Sequence, residues 1–285
     1  LIVGKVFKEI RLARGITLQH LADDYVSKST ISRFERDEAD LTVEKLVHML
    51  DKMKISMREF EFLTKRAHGT IPSLELLPKA VMESDPESLQ KLASEEWNRF
   101  KETGSNYSKL SAIVLDAHYK SLDGREKEIN ERYINHLTDY LFQCELWTQF
   151  DLVLFGNSIS YLPIETSIVL SKELIKKTEE FHSDRQSFET LINTLVNITL
   201  VCIEQDKMEA AEDFIVTLKN LAIDETFFLE KVIFKFAIGL FLIKNGEIEQ
   251  GEEQANEALL AMKFADAPKM EIIFRTIYER IREQE

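Results

Sequence analysis

Cysteine is nearly missing from this chain of 285 residues, which has only Cys144 and Cys202. Two isolated thiols cannot staple a secreted scaffold, and no CxxC pair exists to bind zinc or exchange disulfides. Proline, with 5 residues, and glycine, with 9, are scarce too. That excludes collagen-like, linker-like and turn-rich all-β organisations. Long apolar runs are absent as well. The longest, Phe236 to Ile243, has eight residues, far short of a bilayer span. No basic segment with a long apolar stretch stands at the start, so a cytoplasmic protein without membrane contact is expected. The six histidines never pair at i,i+4 and HExxH does not occur, so no metal is expected. Dinucleotide loops, phosphate loops and nucleophile elbows are missing, and no acid, base and oxyanion donor assemble. Neither an enzyme nor a cofactor is expected.

What the chain does have is charge, unevenly placed. Residues 1–66 carry 13 Lys+Arg against 11 Asp+Glu, a net +2, and residues 67–285 carry 23 against 39, a net −16. The long second part repels polyanions. A nucleic-acid function is therefore confined to the first part, where basic residues can gather on one face. The 18 phenylalanines are expected to be core packing.

Apolar spacing predicts an all-α chain. The first 66 residues read as five short helices: 4–14, 17–24, 28–36, one from Thr42 through Leu50, and 57–66. Thr17, Ser27 and Thr42 are good N-caps. The segment 67–73, with Gly69 and Pro72, is expected to be a linker before a second domain over 74–285. There, helices are expected from near Ser73, then over 86–103, 105–121, 126–142, 144–155, 165–182, 185–204, 207–222, 225–244, 247–264 and 268–284. A weak repeat supports stacked hairpins. Asp206-Lys-Met-Glu-Ala-Ala211 and Gly246-Glu-Ile-Glu-Gln-Gly251 lie 40 residues apart. Each places a small residue five positions after a turn, where two helices can approach closely. A tetratricopeptide-like solenoid fits this spacing better than an irregular helical bundle.

The strongest local pattern is Arg11-x5-Thr17-Leu-Gln-x-Leu-Ala22 followed by Val26-Ser-Lys-Ser-Thr-Ile-Ser-Arg-Phe-Glu35. It resembles the helix-turn-helix of phage-repressor and Cro-like proteins. In that geometry the helix at 17–24 crosses the DNA backbone and the helix at 28–36 enters the major groove. Tyr25 stands where that family usually has glycine, so the turn Asp24-Tyr-Val-Ser27 is expected to be about one residue tighter. Ser27 caps the second helix, with Lys28, Ser29 and Thr30 in its exposed first turn and Arg33 one turn on. Arginine reads guanine edges, and hydroxyls bond bases or phosphates. Thr17 and Lys28 are candidates to anchor the backbone, and Arg36 is a further phosphate candidate. By the resemblance, Gln19 contacts a phosphate or buttresses the recognition helix, and Arg11 and Glu35 form an internal salt bridge. A plain polar helix face is the competing reading of 28–36.

In the second domain, polar residues on apolar helices mark a candidate ligand face. Asn193 and Asn197 form an i,i+4 pair able to clamp a peptide backbone, or else a helix–helix hydrogen bond. Asn157 and Tyr161 can join the same surface, and Lys235 either snorkels or meets a ligand carboxylate. Cys144 and Cys202, set in apolar helices, are expected to be buried thiols.

With the phrase Ser32-Arg-Phe-Glu35, the whole layout resembles the Rgg family, also called MutR-type regulators, of streptococci and related Firmicutes. The resemblance implies a cytoplasmic homodimer that binds double-stranded promoter DNA in quorum sensing. A short hydrophobic peptide pheromone would sit on the concave face of the repeat domain. Some family members crosslink their DNA-binding domains through a cysteine. No cysteine precedes Cys144 here, so dimerisation is expected through the helices from about Phe227 onward. The alternative is a DNA-binding regulator whose repeat domain senses another small ligand or a protein. A helical adaptor that no longer binds DNA is a third reading.

Overall fold

The computed structural model describes residues 3–68, 72–125, 128–177 and 184–284. Sixteen helices and no strand occur among them. The chain divides into two compact units, up to Glu75 and from Leu76 onward.

The first unit contains α1 (Val3–Ala13), α2 (Leu18–Leu21), α3 (Lys28–Glu35), α4 (Val43–Lys52) and α5 (Met57–His68). Hydroxyl caps start three of them, as the sequence suggests. Thr17 accepts from the His20 N–H, Ser27 from Thr30 and Thr42 from Lys45. Phe7 anchors the core, meeting Phe34 and Phe60 edge-on at 5.4 and 6.4 Å between ring centres. Gly4 lets α1 touch the end of α3, because a Cβ there would lie 2.0 Å from the Phe34 carbonyl oxygen.

Two details differ from the sequence reading. The helix expected over 17–24 is a single turn that ends at Leu21, and the connection to α3 is longer, not tighter. The cause is Asp23, whose Oδ1 accepts from the N–H groups of Tyr25 (3.0 Å) and Val26 (2.9 Å). This side-chain turn competes with further helix. Tyr25 replaces glycine without strain, since its φ is not positive. The second difference is at the expected linker, 67–73. Helix α5 continues through His68 and the next helix begins at Ser73, while 69–71 lie outside the described residues.

The division between the units falls within α6 (Ser73–Met82). After it come α7 (Pro86–Thr103), α8 (Asn106–Leu122), α9 (Glu131–Gln143), α10 (Gln149–Gly156), α11 (Ile164–Lys177), α12 (Arg185–Glu204), α13 (Met208–Asn220), α14 (Phe228–Lys244), α15 (Ile248–Phe264) and α16 (Pro268–Arg282). Helices α8, α10, α12, α14 and α16 form a row in which each touches the next, and α9, α11, α13 and α15 pack on that row as a second layer. Antiparallel hairpins thus stack as in a solenoid. The repeated turns share one construction. Asp206 and Gly246 both adopt a left-handed backbone, and the following N–H reaches back to Cys202 O and Leu242 O respectively. These are Schellman caps. Helix α12 has the length and apolarity of a membrane span, but 72% of that stretch is buried within the unit.

Some boundaries move. Helix α9 starts at Glu131 because Asn130 caps it by accepting from Arg132; residues 126–127 are outside the described set. Helix α10 starts at Gln149, five residues after the expected 144, because Thr148 and Asp151 cap each other reciprocally. The expected end of α11 at 182 also lies outside the described residues. Cys144 is the half-buried C-cap of α9 and not, as expected, a buried thiol within the next helix. Burial raises the pKa of both thiols, that of Cys202 to about 11.

Candidate DNA-binding and ligand-binding sites

Helix α3 is held from beneath by a buried ion pair. The Arg11 guanidinium donates to both carboxylate oxygens of Glu35, Nε at 2.6 Å and Nη2 at 2.9 Å, and its Nη1 donates to Ile16 O at 2.6 Å. Both side chains are almost fully enclosed. The bidentate pair ties α1 to α3 and fixes the rotation of α3 about its axis. Glu35 raises the Arg11 pKa above its ordinary value by hydrogen bonding.

The opposite face of α3 is open. Lys28, Ser29 and Arg33 are exposed, whereas Ile31, Phe34 and Glu35 are buried. Lys28 and Arg33 have no ion-pair partner among the described residues. At the helix start, the Ser27 hydroxyl lies 2.9 Å from those of Ser29 and Thr30. Both candidate hydroxyls therefore share in the cap. Thr17 and Gln19 are exposed at the start of α2. Arg36 is engaged differently from the expectation of a free phosphate contact. Its Nε and Nη2 donate to the two oxygens of Glu38 at 2.7 Å each, and its Nη1 to the Ser32 hydroxyl at 2.9 Å.

The turn before α3 is clamped to α4. Asp23 Oδ2 accepts from His48 Nε2 at 2.7 Å and from Lys52 Nζ at 2.9 Å, and Lys52 also donates to Leu21 O. Tyr25 packs edge-on to His48 at 5.3 Å, with the Lys45 ammonium over its ring. The hydrogen bonds from His48 and then Lys52 hold the Asp23 carboxyl well below its usual range. With a depressed folded-state pKa, its stabilisation is present above the unfolded value of about 3.9 and is lost as pH falls below it. Asp23→Asn is accordingly expected to flatten the acid limb of the unfolding profile. Thermal midpoints between pH 3 and pH 7 check this, and an unchanged acid limb would contradict it.

In the second unit the candidate ligand residues are only partly brought together. Helix α10 crosses α12 closely at Gly156, where a Cβ would lie 2.8 Å from Thr194 Oγ1. The carbonyls at the end of α10 need partners. Asn197 Nδ2 donates to Gly156 O at 3.2 Å, and His118 Nε2 donates to Asn157 O at 2.9 Å. His118 Nδ1 then accepts from the Tyr161 hydroxyl at 2.9 Å. Burial lowers the His118 pKa and so favours the neutral imidazole, which can donate from Nε2 and accept at Nδ1. Asn157, Tyr161 and Asn197 thus join one network across α8, α10 and α12. His118, its hub, was not picked out from the sequence. Tyr161 also borders a cleft of 670 Å³ with Ile134 and Asn135 of α9.

The other two candidates stand apart from this network. Asn193 is exposed on α12, one turn before Asn197, with no partner among the described residues. Lys235 is paired with Glu257 of α15, so the expected snorkelling or ligand contact is replaced by an ion pair. The i,i+4 asparagines therefore do not act alike: Asn197 caps a helix end and Asn193 is free.

Comparison with known proteins bears on both units. Residues 88–276 match the C-terminal domain of the HTH-type transcriptional regulator Rgg, and residues 7–60 match a helix-turn-helix family. The chain belongs to the Rgg family of helix-turn-helix transcriptional regulators. Among solved structures it is similar to the SHP pheromone receptor Rgg2 of Streptococcus dysgalactiae, at 24% identity and a TM-score of 0.79, covering 98% of this chain and 99% of that one. A Listeria monocytogenes EGD-e chain assigned as a transcriptional regulator is 19% identical, with a TM-score of 0.83 and coverage of 99% and 97%. PrgX in its complex with cCF10 is 16% identical, with a TM-score of 0.70 and coverage of 99% and 93%.

Proposed function

We propose that this chain is a cytoplasmic transcriptional regulator that binds promoter DNA through α3 and is controlled by a short hydrophobic peptide pheromone. The observation that carries the DNA half is the outward face of α3, where Lys28 and Arg33 stand unpaired on a helix locked by Arg11 and Glu35. A recognition helix needs that combination of a fixed frame and free cationic ends. Arg33 is the base reader, Lys28 and Thr17 anchor phosphates, Ser29 and Thr30 line the groove entrance, and Gln19 of α2 contacts a phosphate or buttresses α3. Two proteins of similar fold, Rgg2 and PrgX, are a pheromone receptor and a protein solved with cCF10, which supports the peptide half.

The peptide lies along the α10–α12–α14 row. Asn193 offers its free amide to the peptide backbone, Tyr161 stands at the cleft, and Lys235 lies further along. Asn157 and Asn197 hold the end of α10 in place beneath it. Two copies join through the last three helices, where Phe228, Leu260, Phe264 and Ile272 leave large apolar areas exposed. Fluorescence titration of a synthetic library of short hydrophobic peptides tests the peptide reading. For the tightest binder, Asn193→Ala is expected to weaken affinity roughly 5- to 150-fold, the value of about 1–3 kcal/mol for an amide contact, with thermal stability unchanged. Wild-type affinity in a normally folded Asn193→Ala protein would remove this face from consideration.

A further inference from the structure

The recognition surface carries its own anion. Successive helical residues turn by about 100°, so Lys28, Ser32, Arg36, Ser29 and Arg33 follow one another in that order around the outward arc of α3. Arg36 falls near the middle of this arc, where a free guanidinium would face the phosphates or the groove. It is not free, because its fork is filled by both oxygens of Glu38 and its remaining amine holds Ser32.

Glu38 is put there by the backbone. Asp37 takes a left-handed conformation, with φ of 58°. Its N–H bonds Phe34 O at 2.9 Å, and the Glu38 N–H bonds Arg33 O at 2.9 Å. These two bonds are a Schellman cap on α3, with Glu38 in the second position beyond the helix. Gly4 packs against the same corner, for a Cβ there would meet both Phe34 O and an Asp37 carboxylate oxygen. The carboxylate of Glu38 is thereby anchored at the end of the recognition helix, as α3 itself is by Arg11. Arg36, and to a smaller degree Arg33, hold the Glu38 carboxyl below its ordinary pKa, so its negative charge is felt by two of the surface's cations.

We propose that Glu38 is an intramolecular stand-in for a DNA phosphate, which occupies Arg36 and restrains sequence-independent binding by α3. This rests on the DNA-binding reading of α3. A carboxylate and a phosphate present the guanidinium fork with similar paired oxygens. The pair is half-exposed on both sides, so water screens it and its contribution to folding is small. DNA competes for Arg36 against a partner that never diffuses away. Non-specific affinity, which comes from phosphate neutralisation, is lowered, and the energy of specific binding is left to Arg33 and its neighbours.

The test is binding of the full-length protein to a random-sequence duplex, measured by fluorescence anisotropy over a series of salt concentrations. Wild type is expected to bind weakly with a marked salt slope, and if it does not bind at low salt the DNA-binding reading itself fails. Glu38→Gln keeps the side-chain shape and removes the charge. It is expected to tighten binding about fivefold at low salt and to steepen the logarithmic salt slope by about one, as for one added phosphate contact. In an Arg36→Ala background the same change is expected to have only a small residual effect, through Arg33. Wild-type affinity and slope in a folded Glu38→Gln protein would overturn the proposal. So would a gain of equal size in the Arg36→Ala background, which would reduce Glu38 to general charge repulsion, and so would weaker binding by Glu38→Gln.

Discussion

Replacing Arg11 with alanine is expected to destabilise the first unit by about 3–5 kcal/mol, the scale for removing one partner of a buried ion pair. The substitution leaves the Glu35 carboxylate enclosed without its two hydrogen bonds and frees Ile16 O from its donor. Since Glu35 lies in the last turn of α3, the loss loosens the recognition helix as well as the core. Replacing both partners by apolar residues, Arg11→Met with Glu35→Leu, is expected to cost far less, because no charge is then stranded. Urea unfolding followed by far-UV circular dichroism checks both. A single substitution costing under about 1 kcal/mol would show that the pair behaves as a surface bridge and does not set the frame of α3.

The second large effect is expected at Gly251. It faces Gly239 across the α14–α15 hairpin. A Cβ on Gly251 would lie 2.6 Å from Gly239 O and 2.8 Å from Ile243 N, and a Cβ on Gly239 would lie 2.7 Å from Ala255 N. These are backbone atoms that cannot swing aside. Glycine within a helix sacrifices about 1 kcal/mol relative to alanine, so Gly251→Ala gains propensity while forcing the helices apart. Gly251→Leu adds bulk without relief and is expected to cost about 3 kcal/mol or more, the upper range for overpacking. The unfolding transition of the second unit measures it. A variant as stable as wild type would mean that α14 and α15 do not meet as closely as these distances require.

That contact shows what a sequence can disclose. The small residue five places after each repeated turn marked the close approach, and Gly251 fulfils it through atoms that spacing alone could not name. The caps at Thr17, Ser27 and Thr42 were equally readable, because a hydroxyl before an apolar period acts on N–H groups two or three residues away. Other features depend on partners that the spacing of residue types does not reveal. Asp23 shortens α2 through local bonds, but its clamp comes from His48 and Lys52 of another helix. His118 of α8 reaches Asn157 at the end of α10, 39 residues further along the chain. The expected start of α10 lies too early because the apolar residues after Cys144 continue the helical pattern, while the reciprocal cap of Thr148 and Asp151 overrides it. Arg36 reads as a phosphate ligand because its charge is evident in the sequence, while the left-handed turn at Asp37 that brings Glu38 to it is not.

The most direct measurement is of DNA affinity on a duplex enriched from a random pool by the wild-type protein. Its affinity is compared with that for a scrambled duplex over a range of salt. Arg33→Ala is expected to lose about 5- to 150-fold on the enriched duplex, the value of about 1–3 kcal/mol for a base contact, with little change on the scrambled one. Lys28→Ala is expected to weaken both alike and to reduce the salt slope by about one. An Arg33→Ala protein that still prefers the enriched duplex as strongly as wild type does would contradict the assignment of α3 as the reading helix.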